Sequence, residues 1–244
     1  MTFIPIASSS SGNSCIIEQD GEAVLIDCGV SFKRVKAALG GLHLAGVLIT
    51  HNHSDHVSGL ELLLRRINAP VYANAATAEA VMRQEGVKGE AFSCFENGQE
   101  FKVGPFTVKA FPIPHDAADP VGFTVRGEFT YFHGTDIGTP LNYIGLQLAE
   151  AEVATLESNH DTVMLKTSSR APSLKQRVGG PRGHLSNDQA CELVGKFASA
   201  RLRKLQLAHL SRECNAPHLA LEAMRETLES IGRSDVELCV LQAV

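Results

Sequence analysis

An α/β fold, with two sheets and helices on their outer faces, is what this sequence predicts. Three observations lead there. Runs with strand character are followed by runs with helical character, and that order occurs twice along the chain. Phe106, Val108 and Ala110 alternate as on one face of a strand, whereas Val57, Leu60, Leu63, Leu64 and Ile67 recur at helical spacing. No stretch rich in Pro, Gly or Ser divides the 244 residues, so one domain over 1–244 is expected.

Taken in order, residues 3–7 read as a strand that ends in S-S-S-S-G-N-S. Strands over 14–19 and 23–27 follow, joined by the hairpin turn Asp20-Gly21. Ser31 is placed to cap a helix over 32–39, which Gly40-Gly41 ends. A short buried strand at 47–50 feeds a histidine cluster, and helical periodicity covers 56–67. Then come a strand at 70–73, a helix at 77–84 closed near Gly86, and a stretch of turns and strands over 91–127 that includes 122–126. Strands at 130–133 and 154–157 precede a basic segment bearing Gly and Pro. A helix over 186–200 starts near Ser186 or Asn187, and the chain goes on as strand 205–210, helix 218–231 and strand 236–241.

The net charge of −5 gives no general attraction to polyanions, so any nucleic-acid surface must be a local basic patch. The six cysteines are scattered without a CxxC pair, which suits a reducing cytosol. The N-terminal segment lacks the basic-then-apolar order of a signal peptide, and no apolar run approaches the roughly 20 residues of a membrane helix. A soluble cytoplasmic protein is therefore expected.

The chemistry concentrates in T-H-N-H-S-D-H, where His51, His53, Asp55 and His56 directly follow the buried strand. Four ligand-type side chains in six positions point to metal, and imidazole with carboxylate suits zinc, manganese or iron. His115, Asp136 and His209 each end a separate strand-like run. Taken singly they are weaker: Asp116 or Asp119 competes with His115, Asp136 reads equally as a turn residue, and His209 as a core histidine. Together, seven such residues could supply two cations, which would hold a hydroxide between them for hydrolysis.

With these residues in place, the chain resembles the metallo-β-lactamase fold hydrolases. That resemblance implies an αββα four-layer sandwich. It implies that His51, His53 and His115 hold one ion, that Asp55, His56 and His209 hold the other, and that Asp136 bridges them. Asp55 would also position the hydroxide. The segments A-S-S-S-S-G-N-S, G-T-D-I-G, L-E-S-N-H-D, S-L-K-Q-R-V, G-H-L-S-N and L-A-H-L-S-R-E-C-N are similar to the small bacterial YycJ/WalJ-type exonucleases. A 5′ to 3′ DNA exonuclease is then implied, linked to mismatch repair or cell-wall regulation. One departure is Ala171, where such proteins tend to carry an aromatic. The related RNA-maturation nucleases insert a cap domain after the bridging aspartate, and too few residues separate Asp136 from His184 for one here.

By resemblance to tRNA-processing relatives, Glu157 orients His184, which would assist the leaving 3′ oxygen as a general acid. His160 and Asp161 are candidates for support of that pair. Between Asp161 and Asp188 no acidic residue occurs, while Lys166, Arg170, Lys175, Arg177 and Arg182 do. Lys175 and Arg177, with Arg170, are the expected phosphate contacts. Two rival readings keep the metals and change the substrate: an RNA-processing nuclease, or a hydrolase of a small ester, thioester, lactone or cyclic phosphodiester. A third rival is a redox or interaction module on the same scaffold.

Overall fold

The opening segment pairs as its alternation requires. β1 (Thr2–Ser9), β2 (Gly12–Gln19) and β3 (Glu22–Ile26) form an antiparallel meander. Asp20 and Gly21, at φ 54° and 83°, take the left-handed conformations of a two-residue hairpin turn. The computed structural model describes residues 1–241. Two compact units make up the described residues: Met1–Pro112 with Ala117–Glu128, and Ile113–Asp116 with residues 129–241.

In the first unit, β4 (His43–Leu48), β5 (Val71–Asn74) and β6 (Phe92–Phe95) extend the meander to a six-stranded sheet in sequential order. From β3 onward the pairing is parallel. The cause is the helix in each connection, which returns the chain to the same end of the sheet. Those helices are α1 (Phe32–Leu39), α2 (Ser54–Val57) with α3 (Leu60–Leu64), and α4 (Ala75–Glu85). Leu25, Val47 and Val71 lie in register across β3, β4 and β5. They share one core with Val35, Leu60 and Val81 of the helices.

Two local expectations change. The helix expected over 56–67 is broken at Ser58-Gly59, because Gly59 N–H donates to the Cys28 carbonyl at 2.8 Å. A Cβ there would stand 1.9 Å from the Val30 carbonyl oxygen, so the chain can approach only as glycine. Ser31 precedes α1 as expected but makes no side-chain cap bond, whereas Asn74 caps α4 by accepting from Thr77 N–H. An antiparallel run of β7 (Glu100–Val103), β8 (Phe106–Pro112) and β9 (Val121–Arg126) completes the unit. Phe101 of β7 stacks on Tyr72 and Phe95, with ring centroids 5.5 and 4.9 Å away.

The second unit carries four parallel strands, β10 (Thr130–Gly134), β11 (Val153–Glu157), β12 (Lys204–Ala208) and β13 (Glu237–Val240), paired in that sequence. α5 (Asn142–Ala149), α6 (Thr162–Thr167), α7 (Pro172–Val178), α8 (Asn187–Phe197) and α9 (Pro217–Ser230) connect them. α8 begins with a reciprocal cap between Ser186 and Gln189. Asp136 is followed directly by α5 and β11, with no inserted cap domain. Among the described residues no helix is long and apolar enough to cross a membrane.

Candidate metal centre

Parallel strands bring their carboxyl ends to one edge, and that edge is where ligands gather in open α/β sheets. In the first unit β3 runs into Asp27 and β4 into His51. The imidazoles of His51 and His53 meet edge to face with centroids 4.7 Å apart, and those of His51 and His56 lie 4.1 Å apart. Asp55 Oδ2 is 3.5 Å from His56 Nε2. All four residues of the predicted cluster therefore come together.

Behind them sits Asp27, which sequence reasoning missed. Its buried carboxylate accepts from His56 Nδ1 at 2.7 Å, from Thr50 N–H at 2.9 Å and from the Thr50 hydroxyl at 2.8 Å. That hydroxyl in turn accepts from His51 Nδ1 at 3.0 Å. One carboxylate thus orients two imidazoles, directly and through Thr50, and makes each Nε2 the candidate ligand nitrogen. The turn is pinned by Cys28 N–H on the His56 carbonyl (2.7 Å). Gly29 passes so close that a Cβ would stand 1.6 Å from the Asp55 carbonyl oxygen.

The second unit repeats the device. Asp136, Glu157 and His209 lie at the carboxyl ends of β10, β11 and β12, which are neighbours in register. The fully buried Glu157 accepts at Oε1 from Nδ1 of both His184 (2.9 Å) and His209 (2.8 Å). Its Oε2 accepts from the backbone N–H of Ile137 (2.8 Å) and Leu185 (3.0 Å). Asp136, Glu157, His184 and His209 have ligand atoms within 4.8 Å of one another. Because four donors already fill the lone pairs of Glu157, it is an orienting group rather than a ligand. Asp136 Oδ1 lies 3.7 Å from His115 Nε2 and 3.5 Å from His209 Nδ1. His115 Nδ1 donates to the Gly183 carbonyl at 3.0 Å, which turns its Nε2 towards Asp116 and Asp136. Asp27, Asp136 and His209 all adopt left-handed backbone (φ 56°, 60° and 56°), a strain that concentrates at functional sites.

A β-lactamase superfamily domain pattern matches residues 22–209. The chain belongs to the β-lactamase superfamily. It is 32% identical over 224 residues to "Exodeoxyribonuclease WalJ" of Streptococcus pneumoniae serotype 2, covering 88% of this chain and 83% of that protein. It is 31% identical over 244 residues to "Exodeoxyribonuclease YycJ" of Bacillus anthracis, covering 94% and 90%. The metallo-β-lactamase fold protein YhfI from Bacillus subtilis matches the structure with TM-score 0.74 at 16% identity, covering 99% of this chain and 96% of that one. The protein is thus a hydrolase of the superfamily with the metallo-β-lactamase αββα fold.

The donor chemistry of this superfamily member fits divalent cations. Imidazoles with fixed tautomers and buried carboxylates are borderline ligands of the kind that zinc, manganese and iron accept. Charge is tuned accordingly. Burial disfavours a charged His184, but the adjacent Glu157 carboxylate outweighs it and pushes the imidazole up to about 9. Burial opposes ionisation of Glu157 in turn, and the His184 charge with both imidazole hydrogen bonds holds its carboxyl low. His115 is lowered, chiefly by burial.

The basic segment differs from a bare cationic strip. Arg170 pairs with Glu213 (2.8 Å) and Arg177 with Asp116 (2.6 Å). Lys175 donates to the Lys166 carbonyl, and Arg182 to the carbonyl of His115. Asp116 also stands 3.4 Å from His115 Nε2, whereas Asp119 accepts from Asn97. Asp161 caps α6 by accepting from Met164 N–H, and the buried His160 bridges to Ser186.

Proposed function

We propose that the protein is a divalent-metal-dependent DNA exonuclease working 5′ to 3′. The observation that carries this reading is the repeated device of one buried carboxylate orienting two imidazoles, Asp27 for His51 and His56, and Glu157 for His184 and His209. The names of the two bacterial relatives supply the substrate class. In this reading His51, His53 and His115 would hold one cation and Asp55, His56 and His209 the other, with Asp136 as a further ligand. Two bound cations supply Lewis acidity and lower the pKa of water.

The chain's own residues do the rest. Asp55 orients the attacking water, and Glu157 keeps the proton of His184 available at the leaving 3′ oxygen. In this reading Lys175, Arg177 and Arg170 would contact the phosphate backbone, Arg170 and Arg177 exchanging their carboxylate partners for phosphates on binding. Six free thiols suit a cytoplasmic, reducing setting for this activity. Incubation with DNA labelled at either end, with 5′ or 3′ ends blocked in turn, tests the reading. Mononucleotide release from free 5′ ends, lost on chelation and restored by Mn²⁺ or Zn²⁺, is expected. Turnover that ignores the blocked end, or acts on RNA alone, counts against it.

A second reading draws on the ion pairs Arg170–Glu213 and Arg177–Asp116, which already neutralise two of the three expected phosphate contacts. It is a hydrolase of a small thioester or cyclic phosphodiester. Such an enzyme turns over its substrate without the steep salt dependence of polyanion binding.

A further inference from the structure

Asn13, in the S-G-N-S stretch at the start of β2, has no part in the chemistry described so far. It is buried, and its orientation is fixed by Ser9: Oδ1 accepts from Ser9 N–H at 3.0 Å and Nδ2 donates to the Ser9 carbonyl at 2.9 Å. A flipped amide would set N–H against N–H and oxygen against oxygen. The same Nδ2 stands 3.0 Å from His56 Nε2 and 3.1 Å from Asp55 Oδ2. An amide nitrogen has two hydrogens. One serves Ser9, and the other lies between the imidazole nitrogen and the carboxylate oxygen, themselves 3.5 Å apart.

His56 can use Nε2 in only one way at a time. Its Nδ1 proton is committed to Asp27 at 2.7 Å, so Nε2 carries a single lone pair. Either the Asn13 N–H or a cation takes that pair. Asp55 is different, since its carboxylate has lone pairs enough to bind a cation and keep the Asn13 bond. The backbone holds Asn13 in place as well, because its carbonyl accepts from Gly29 N–H at 3.0 Å.

We infer that Asn13 is a positioning residue that competes with the cation for His56, keeping the Asp55/His56 position the weaker, exchangeable one of the two. The inference rests on the metal-dependent reading above and goes beyond it, by assigning a role in cation exchange to a residue that is not a ligand. Cation loading breaks one hydrogen bond, from Asn13 to His56, and spares the one to Asp55. Asn13→Ala removes a bond present only before loading, so the cation binds more tightly by roughly three- to tenfold. Asn13→Asp keeps the acceptor for Ser9 N–H and replaces the competing donor with a carboxylate, so it binds tighter still.

The test is calorimetric titration of chelator-stripped full-length protein with Mn²⁺ and with Zn²⁺, together with the melting temperature before and after loading. Tighter binding of one equivalent in both variants, with the other equivalent unchanged, and a larger melting shift on loading than in the unsubstituted protein, is the expected result. A purely structural role lowers the melting temperature equally with and without cation and leaves both affinities alone, which overturns the inference. Weaker binding in both variants overturns it too, since Asn13 would then be supporting the ligands. Failure of the unsubstituted protein to bind either cation removes the metal-dependent reading itself, and the inference with it.

Discussion

Replacing Glu157 by Gln changes almost no volume and strikes at the group on which the second cluster depends. The carboxylate receives four donors, two backbone N–H groups at Oε2 and two imidazoles at Oε1. A glutamine amide can turn its oxygen to only one of those pairs. The other pair then faces an NH₂ group, so two hydrogen bonds to a buried charge are lost whichever way it sits. At about 1.5–3 kcal/mol each, the loss is about 3–6 kcal/mol. For a chain of this size that corresponds to a fall in melting temperature of roughly 6–24 °C. Cation affinity should drop by about 10–100-fold, because His209 is no longer held with Nε2 as its ligand atom. Scanning calorimetry of chelator-treated protein gives the first quantity, and titration against a chelating indicator the second. A variant that melts within about 2 °C of the parent and keeps its affinity would falsify the orienting role.

Asp27→Asn removes the same kind of support from His51 and His56, and should weaken one cation by about tenfold or more; equilibrium dialysis against a metal buffer measures it. NMR titration of cation-free protein should find His184 near pKa 9, and Glu157→Gln should move it downward. Because the folded value lies above the ordinary 6.5, the His184–Glu157 pairing stabilises fully below about pH 6.5 and is lost as pH rises through about 9. Unfolding at pH 6 and pH 10 in the parent and in His184→Gln checks that sign. Lys175→Ala with Arg177→Ala should weaken DNA binding and flatten the slope of log K against log salt by about 0.9 for each phosphate left without its cation; an unchanged slope favours a small-molecule substrate.

Much of the candidate site was legible because its imidazoles and carboxylates are rare residue types placed at strand ends. T-H-N-H-S-D-H needed no tertiary information, whereas Asp136 and His209 were weak taken singly and gained weight only beside that cluster. The orienting residue Asp27 was not legible: in L-I-D-C-G it looks like any turn aspartate, and only its left-handed backbone and its bond to His56 show its purpose. Asn13 was hidden within a motif whose function depends on a partner 43 residues away. The ion pairs of the basic segment were hidden for the same reason. Arg177 and Arg170 find their carboxylates 61 and 43 residues away, beyond the reach of local charge counting.

Helices showed the same split. α1 was readable to its ends, since Val35 and Leu39 mark one face and Gly40-Gly41 follows. α5 and α7 were not, because Leu141 and Ala171 stand where a cap-type residue such as Ser31 would mark the start, and α7 lies in a run of basic and small residues. Strand direction could not be read from alternation alone, because parallel and antiparallel strands share a period of two.

Two sets of imidazoles and carboxylates, each braced by its own buried acid, serve hydrolysis only if they carry cations. Elemental analysis of protein purified without chelators addresses this most directly. Two divalent ions per chain, falling when either His51 or His209 is replaced by Ala, is the predicted result. Protein that retains none, and takes up none when Mn²⁺, Zn²⁺ or Fe²⁺ is supplied, contradicts it.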